Sequence, residues 1–471
     1  MIPERPKTYQ TNFKGSHWRN YQRKLKRTAS INKIIKNIPK YSVVFLFVLI
    51  LVCGIISGLL GGIACHHTQT LNSNTPDSKT DIHHSHKKLI TKRDVQSLID
   101  SESFVNLNEK GFDFVLNEQN FRVNTSLDVP LQQFMLDNLD QSTARYIGIV
   151  AMDPTTGRIL SMVSYDKTDQ HNNPCIDNRF PAASIFKIVT AAAAIEKYDF
   201  NSGSILKYNG GKHTLYKSQL KKRTNKYTNR ITFRDSFAQS VNPVFGKIGA
   251  LYLGKTILEN YAEAFGFNQN IDFEVPVAPS SINLSDEPYQ WAEIASGFNH
   301  ETTLSPLHGA LITSAILNQG RLVEPTIVDQ ITDETGQVIY RSHLITLNQA
   351  ITPKSAKIIN NLMEATIKSG TCRKAFRGYR KDQILSKLNI GGKSGSIDNK
   401  AHDARYDWFV GFAEEKDGHG KLVISVIVAH EKYIGRRASH YARIAMKQYF
   451  HNYFAKKDEK VPFKTALGIV D

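Results

Sequence analysis

The spacing of apolar positions changes along the chain, and each spacing predicts a different element. Residues 146–152 and 159–163 are apolar enough for two strands, and Asp153-Pro-Thr-Thr-Gly157 between them contains the proline and glycine typical of a turn. The pattern therefore predicts a β-hairpin. Further apolar runs predict strands nearer the C-terminus, at 388–396, 407–413 and 422–428.

Helices are predicted between these strands, most clearly where a proline begins and a glycine ends an apolar stretch. Ser305-Pro306 precedes a run that stops at Gly320, and Thr352-Pro353 precedes one that reaches Lys368. The other predicted helices lie at 128–139, from 184 onward, on both sides of a break at 240–242, and at 439–454. This mixture predicts an α/β domain at 120–455, followed by a C-terminal tail at 456–471.

A long uncharged stretch precedes this domain. Val43 to Ala64 contains 22 residues without a charge, and as a helix it would extend roughly 33 Å, the thickness of a bilayer core. A cleaved signal peptide has a shorter apolar region. Residues 1–41 contain eleven Lys or Arg against one acid, and such a basic flank stays in the cytoplasm. The sequence thus predicts a cytoplasmic tail at 1–41, a single anchor in the inner (plasma) membrane at 42–64, and the folded domain outside the cytoplasm.

The formal charge of the chain is +17. An excess of this size favours anionic partners, among them nucleic acid, acidic lipid or an acidic cell-wall polymer. Much of the excess belongs to the N-terminal tail, where it is a topology signal, so we predict no nucleic-acid partner. A second basic stretch runs from Lys217 to Arg230. The simpler interpretation is a solvated surface, and the more specific alternative is a surface that contacts an anion.

The segment at 65–119 is predicted to be a polar tether followed by a segment next to the domain. Five histidines lie between His66 and His86, but no Cys or acidic ligands accompany them at a set spacing, so we predict neither a metal nor a cofactor. Cys175 and Cys372 lie far apart in sequence, and whether they form a disulfide stays open.

Three short motifs carry the candidate chemistry. Ser184 and Lys187 are three residues apart at the start of a predicted helix, so they share a face, and the lysine can take the proton of the serine hydroxyl. Ser240-x-Asn242 lies between two helices, and Lys393-Ser394-Gly395 lies on a predicted strand. Each motif alone is common, but the three together are the set found in penicillin-binding proteins and serine β-lactamases.

With these motifs the chain resembles a penicillin-binding protein transpeptidase domain from about residue 120 to 450. The likeness includes further stretches at 125–132, 153–160, 297–306, 369–371 and 407–412. The resemblance implies a mostly antiparallel sheet flanked by helices, with a second, all-helical subdomain. It also implies a D-alanyl-D-alanine stem peptide of peptidoglycan as substrate, β-lactams as ligands, other cell-wall synthesis proteins as partners, and no cofactor.

The resemblance also gives each motif residue a role. Ser184 would attack the penultimate D-alanine carbonyl and form an acyl-enzyme, and the amine of a second stem peptide would take the acyl group to make a cross-link. Lys187 would be the base that activates the serine. Ser240 would relay a proton to the leaving amine, Asn242 would hold the substrate amide and Lys187, and Lys393 would keep the site positive.

The strand motif would bind the terminal carboxylate of the substrate. Ser394 and Ser396 would hold it with their hydroxyls, Gly395 would leave room for the substrate, and the backbone N–H groups of Ser184 and Ser396 would form the oxyanion hole. The family commonly has threonines in place of these two serines, so the affinity for β-lactams stays open. About 55 residues separate the anchor from the domain, which is too few for a glycosyltransferase domain, so we expect peptide transfer without glycan polymerisation.

Other functions share these motifs. A D,D-carboxypeptidase would use water as the acceptor. A serine β-lactamase with a glutamate base would carry Glu-x-x-Leu-Asn, which is missing. A β-lactam sensor would carry His-Glu-x-x-His, and neither His300-Glu301 nor His430-Glu431 has the second histidine. A catalytically silent scaffold of a wall-synthesis complex would not need the intact motif residues. The oligomeric state, and a role in division, elongation or sporulation, stay open.

Overall fold

The computed structural model describes residues 90–460, which form short strands and helices in mixed order. The strands in chain order are β1 (Gly111–Leu116), β2 (Gln119–Thr125), β3 (Ala144–Met152), β4 (Ile159–Asp166), β5 (Ile205–Tyr208), β6 (Asn229–Thr232), β7 (Arg321–Val323), β8 (Val328–Asp333), β9 (Val338–Arg341), β10 (Thr346–Gln349), β11 (Leu388–Asp398), β12 (Arg405–Glu415) and β13 (Lys421–His430). The helices in chain order are α1 (Lys92–Leu98), α2 (Val129–Asp137), α3 (Lys187–Tyr198), α4 (Lys217–Leu220), α5 (Phe233–Ala238), α6 (Asn242–Ile248), α7 (Gly254–Ala264), α8 (Pro288–Ser296), α9 (Pro306–Leu317), α10 (Pro353–Lys368) and α11 (Ala438–Lys460).

A five-stranded antiparallel sheet in the order β11-β12-β13-β3-β4 organises the domain. Successive side chains of a strand point to opposite faces, and β13 is apolar on both. Val423 and Ile427 contribute to the core on one face, while Ile424 and Val426 contribute to the core on the other. Helix α9, buried along its whole length, packs on the sheet together with α11 and α2. The predicted hairpin of β3 and β4 and the predicted antiparallel sheet flanked by helices are confirmed.

Helices α5 to α8 form a largely helical region beside this sheet, and α3 joins the two. Helix α6 packs on α8, α3 packs on α7, and α5 packs on α10. The break predicted between two helices is confirmed, because α5 ends at Ala238 and α6 begins at Asn242. Nine consecutive residues of α3, 187–195, are buried. A helix that is buried all round lies inside a protein rather than on its surface.

Folded elements also lie before residue 120. Val95 of α1 and Phe104 belong to the main core, and β1 pairs with β2 in a sheet of order β1-β2-β8-β9. The sequence between 90 and 119 is mostly polar, and its elements are only four to seven residues long, too short for an apolar pattern to repeat clearly. For this reason the apolar pattern does not indicate these elements. At the other end, α11 continues through Lys460, past the predicted start of the tail.

Cys175 and Cys372 are free, buried thiols and do not form a disulfide. Among residues 90–460 there is no helix that is both long and apolar enough to cross a membrane. The predicted cytoplasmic tail at 1–41 and the predicted anchor at 42–64 lie outside the described residues.

A buried ion pair joins α1 to the rest of the domain. The ammonium of Lys92 contacts the Glu324 carboxylate and also donates a 2.7 Å hydrogen bond to the Pro325 carbonyl oxygen. Both side chains of the pair are less than a tenth exposed, at 9% and 7%. Removal of one partner leaves a buried charge without compensation, which is strongly unfavourable.

We therefore expect Lys92→Met to lower the free energy of unfolding by about 3–5 kcal/mol, measured by urea denaturation. The control is Arg122→Gln, which breaks a 3.0 Å pair with Asp113 whose side chains are 46% and 67% exposed. That change should alter the free energy of unfolding by less than about 1 kcal/mol. Equal losses in the two variants would contradict burial as the source of the effect.

Candidate active site

Ser184 lies in the 3₁₀ turn Ala183–Phe186, directly before α3. The residue before it, Ala183, has φ +48°, a left-handed conformation that is unfavourable for a residue with a side chain. Its neighbours hold this turn in place. The Thr302 carbonyl accepts a 2.8 Å hydrogen bond from Ala182 N–H, and the Trp408 indole N–H donates a 2.9 Å bond to the Pro181 carbonyl.

Gly297 allows a second segment to lie against the same turn. It follows α8 with φ +64°, and a Cβ at this position would overlap the Ala183 carbonyl oxygen. The contact needs a residue without a side chain, and the left-handed conformation also favours glycine. Gly297 therefore brings the end of α8 close to Ser184.

Lys187 is the first residue of α3, and its side chain is fully buried. Its Nζ lies 2.8 Å from Ser184 Oγ and 2.8 Å from Asn242 Oδ1, and it also contacts the carbonyl oxygen of Ser296. Ser296 is the last residue of α8, and the carbonyls of a final helical turn have no partner within the helix. The Lys187 amine donates a hydrogen bond to the Ser296 carbonyl and so provides the missing partner.

Burial lowers the pKa of Lys187 well below its usual value of 10.5, and the positive charge of Lys393 lowers it further. The neutral amine is therefore accessible. A neutral amine has two N–H donors and one lone pair, and Lys187 has three polar neighbours. Two of these, the Asn242 amide oxygen and the Ser296 carbonyl, can only accept. The third, the Ser184 hydroxyl, can donate its proton to the lone pair.

Ser240 and Asn242 lie where α5 gives way to α6. Ser240 has φ +54°, a second left-handed residue in the site, and Asn242 is the first residue of α6. The turn at Gly370 and Thr371, after α10, supports the end of α5, because Thr371 N–H donates a 3.0 Å bond to the Ala238 carbonyl. Non-glycine residues in this conformation are held by their surroundings and cluster at functional sites.

Lys393 comes from β11 and connects the strand to this turn. Its Nζ donates to Ser240 Oγ at 3.0 Å and to the Ser394 carbonyl at 2.8 Å. Burial lowers the pKa of Lys393 to about 7. The three sequence motifs thus meet in one cluster, in which Lys187 contacts Ser184 and Asn242, and Lys393 contacts Ser240.

Gly395 lies close against the serine turn, a contact that the sequence does not predict, and its predicted role of leaving room for the substrate stays a prediction. A Cβ at this position would lie 3.2 Å from Ala183 Cβ and 3.2 Å from the backbone N of Ser184. It would press on the serine turn itself, so Gly395 sets the separation between β11 and Ser184. Because β11 is the edge strand of the five-stranded sheet, its outer edge is unpaired at this point among the described strands.

The hydroxyls of Ser394 and Ser396 have partners that the sequence does not predict. Ser394 Oγ lies 2.5 Å from Thr371 Oγ1, and Ser396 Oγ accepts a 2.8 Å bond from Arg405 Nε. Arg405 begins β12 and also pairs with Asp398 at 3.1 Å. A guanidinium beside two hydroxyls at a strand edge is a suitable site for a carboxylate.

Four groups of the site have no predicted role: Thr371, Arg405, the Ser296 carbonyl, and His213. Burial lowers the pKa of His213, while a hydrogen bond to the backbone of Ser240 raises it. Thr371 lies in a stretch that contributes to the resemblance, so a signal existed for it. A backbone carbonyl and a distant arginine leave no pattern in one sequence. Within residues 90–460, no cluster of three or more His, Cys, Asp or Glu is arranged to hold a metal ion.

A side chain at position 297 would have two costs, a strained backbone conformation and an overlap with the Ala183 carbonyl oxygen, and these two costs can be measured separately. Gly336 has φ +82° with nothing within 4 Å of an added Cβ, so Gly336→Ala tests the conformation alone and should destabilise the fold by about 1–2 kcal/mol. Gly297→Ala should destabilise it considerably more, because it also overlaps the Ala183 carbonyl. Thermal unfolding measures both. An equal effect of the two changes would contradict the close contact.

Comparisons with known proteins identify a family and several relatives of this chain. A family model described as the penicillin binding protein transpeptidase domain matches residues 147–451. Stage V sporulation protein D of Bacillus subtilis (strain 168) is 29% identical over 331 residues, which cover 65% of this chain and 49% of that protein. Peptidoglycan D,D-transpeptidase PbpA of Mycolicibacterium smegmatis is 24% identical over 319 residues, which cover 59% of this chain and 61% of that protein.

Solved structures show the same fold. The D,D-transpeptidase domain of a peptidoglycan glycosyltransferase from Eggerthella lenta has a TM-score of 0.58 at 23% identity, over 70% of this chain and 83% of that one. The imipenem acyl-enzyme complex of penicillin-binding protein A from M. tuberculosis has a TM-score of 0.55 at 21% identity, over 69% and 79%. The match to stage V sporulation protein D spans about half of that relative's length. Because the family model matches more than half of the chain, at residues 147–451, the chain belongs to the penicillin-binding protein transpeptidase domain family.

Proposed function

We propose that the chain is a serine D,D-transpeptidase that cross-links the D-alanyl-D-alanine stem peptides of peptidoglycan through an acyl-serine at Ser184. The observation that carries the proposal is the fully buried Lys187 amine, 2.8 Å from Ser184 Oγ and with its pKa lowered. The predicted anchor at 42–64 would hold this domain outside the plasma membrane with the N-terminus in the cytoplasm. Glycan polymerisation is not part of the proposed reaction.

Acylation begins with the neutral Lys187 amine. Its two N–H groups donate to Asn242 Oδ1 and the Ser296 carbonyl, so its lone pair faces Ser184 and accepts the hydroxyl proton. Ser184 Oγ then bonds to the carbonyl carbon of the penultimate D-alanine. The C–N bond to the terminal D-alanine breaks as the leaving nitrogen takes up a proton. Ser240, in contact with Lys393 Nζ at 3.0 Å, is positioned to pass that proton on.

The substrate is held along β11. An extended peptide adds to an unpaired strand edge through main-chain hydrogen bonds, and Gly395 keeps that edge close to Ser184. The terminal carboxylate binds at the hydroxyls of Ser394 and Ser396, with Arg405 supplying charge. Backbone N–H groups of Ser184 and Ser396 stabilise the tetrahedral oxyanion, an effect of a few kcal/mol per donor. Transfer to a second stem-peptide amine then frees Ser184.

Printed names of related proteins support the same reaction. Relatives are named peptidoglycan D,D-transpeptidases, and structures of similar fold are titled acyl-enzyme complexes with imipenem and penicillin G. β-Lactams are therefore proposed as ligands of this site too. Serines at 394 and 396 lack the two methyl groups that threonines would add to the lining, which loosens the carboxylate pocket, so the strength of β-lactam binding is a separate quantity to measure.

Fluorescent penicillin tests the acyl-serine directly. The full chain and Ser184→Ala are incubated with the probe and analysed by intact mass and by peptide mapping. A lasting adduct on Ser184, absent from Ser184→Ala, is expected because β-lactam ring opening leaves an acyl group that water removes slowly. A folded wild-type chain without an adduct would contradict the proposal. An adduct that disappears within seconds would identify a β-lactamase instead.

The pH dependence of acylation tests the role of Lys393. Acylation needs the neutral form of Lys187, so its rate should rise with pH through the pKa of that amine. The charge of Lys393 lowers this pKa, so Lys393→Met should raise it and move the acidic limb of the profile to higher pH. The shift should be measured below about pH 7, where Lys393 is itself charged.

The matched control for this measurement is Thr371→Val. This change removes a contact of Ser394 without changing the charge of the site, so it should lower the height of the profile and leave its midpoint in place. An unchanged midpoint in Lys393→Met would mean that burial alone sets the pKa of Lys187.

A further inference from the structure

One surface beside the site has a charge that the proposed reaction does not use. Residues 205–232, here called the basic hairpin, comprise β5, β6 and the loop between them, and contain eight Lys or Arg and no Asp or Glu. All eight cations are exposed, and none pairs with a carboxylate of the described chain. Protein surfaces usually intersperse both signs of charge. A single-sign surface of this size attracts anions.

The pairing of the two strands places like charges together. Lys207 lies directly opposite Arg230 in the antiparallel ladder, so both side chains stand on the same face. Like charges directly opposite each other destabilise a strand pair. A bound anion would remove this repulsion, whereas solvent exposure and salt only reduce it.

Neutral side chains fix the loop that carries most of the charge. Gln219 is 5% exposed, and its amide donates to the Asn209 carbonyl at 2.8 Å and accepts from Tyr216 N–H at 2.9 Å. The side chain of Asn209 donates to the Arg223 carbonyl and accepts from Thr228 Oγ1. The cations are therefore presented by a backbone with defined internal bonds, so binding an anion would order few additional residues.

The basic hairpin touches the candidate active site through its backbone. Asn242 N–H donates a 2.7 Å bond to the Lys212 carbonyl, and Lys212 Nζ donates to Gln239 Oε1 at 2.6 Å. An open cleft of about 500 Å³ lies along the hairpin between Arg230 and Gln239, and Asp235 is the one carboxylate in its lining. None of the eight cations hydrogen-bonds Ser184 or Lys187.

We propose that the basic hairpin binds a linear polyanion, a flexible polymer with phosphate or carboxylate groups along its length. The cations are spread along two strands and a long loop and do not converge on one point, so a small anion would meet only one or two of them. A chain of anions can follow the ribbon from Arg230 to the loop at 221–223. The proposal does not depend on acyl transfer, because these cations take no part in that chemistry.

Long-chain inorganic polyphosphate is the probe for this proposal. The test variant of the full chain replaces Lys221, Lys222 and Arg223 by Gln. The control variant replaces Lys354, Lys357 and Lys381 by Gln. These three lysines are also exposed and lie outside the basic hairpin, so the net charge changes by the same amount. The basic residues at 1–41 are present in all three chains and contribute equally to each.

The test variant should bind polyphosphate at least about tenfold more weakly than wild type, and binding by wild type should weaken steeply with salt because phosphate contacts release counterions. The control variant should bind nearly as well as wild type. Acylation by fluorescent penicillin should be the same in all three, so a failure of the catalytic proposal would not affect this result. Equal losses in the two variants would overturn the proposed site.

Chemical acetylation locates the bound polymer on the full chain. Polyphosphate should protect the six lysines of the basic hairpin, read individually by mass spectrometry, and orthophosphate at equal phosphate concentration should not. Protection by orthophosphate alone, protection only at 1–41, or tighter binding to anionic lipid vesicles or to single-stranded DNA than to polyphosphate would each overturn the proposal of a linear polyanion.

Discussion

The candidate active site depends on a lysine amine placed where water cannot reach it. A buried ammonium is costly, so the protein must either supply counter-charge or make the neutral form accessible. Around Lys187 the hydrogen-bonding neighbours are two neutral acceptors and a hydroxyl, and the nearby charge of Lys393 is positive. Both conditions favour the neutral amine. The base strength of Lys187 is therefore a property of how α3, α6, α8 and β11 pack together.

That packing in turn depends on close backbone contacts. Gly297 and Gly395 allow two segments to lie against the turn at Ala183, and the turn itself has a left-handed residue. Such a conformation persists only where the surrounding structure holds it. The hydrogen bonds at Pro181 and Ala182 contribute to holding it. The position of the serine is thus fixed by several neighbouring segments at once.

The sequence indicates β3, β12 and β13 of the central sheet well, because their middle residues are apolar on both faces. The helices around α5, α6, α9 and α10 also follow from proline, glycine and motif positions. A single sequence does not indicate contacts made by groups that leave no sequence pattern. Examples are the contact of the Ser296 carbonyl with Lys187, the bond from Arg405 to Ser396, and the close approach of Gly395 to the serine turn. The polar segment before residue 120 is a similar case, since it contributes only three buried apolar side chains to the main core, Val95, Ile99 and Phe104.

The alanine run of α3, residues 191–194, is fully buried beside the site. Alanine has no side-chain rotamers to lose when it is buried, so a helix built from it is fixed in place with little entropic penalty from its side chains. It also offers no alternative rotamers by which the interior could relax. If a peptide binds along β11 as proposed, its small movements would be accommodated at the strand edge and the surrounding loops, while the helix that carries Lys187 remains a rigid reference.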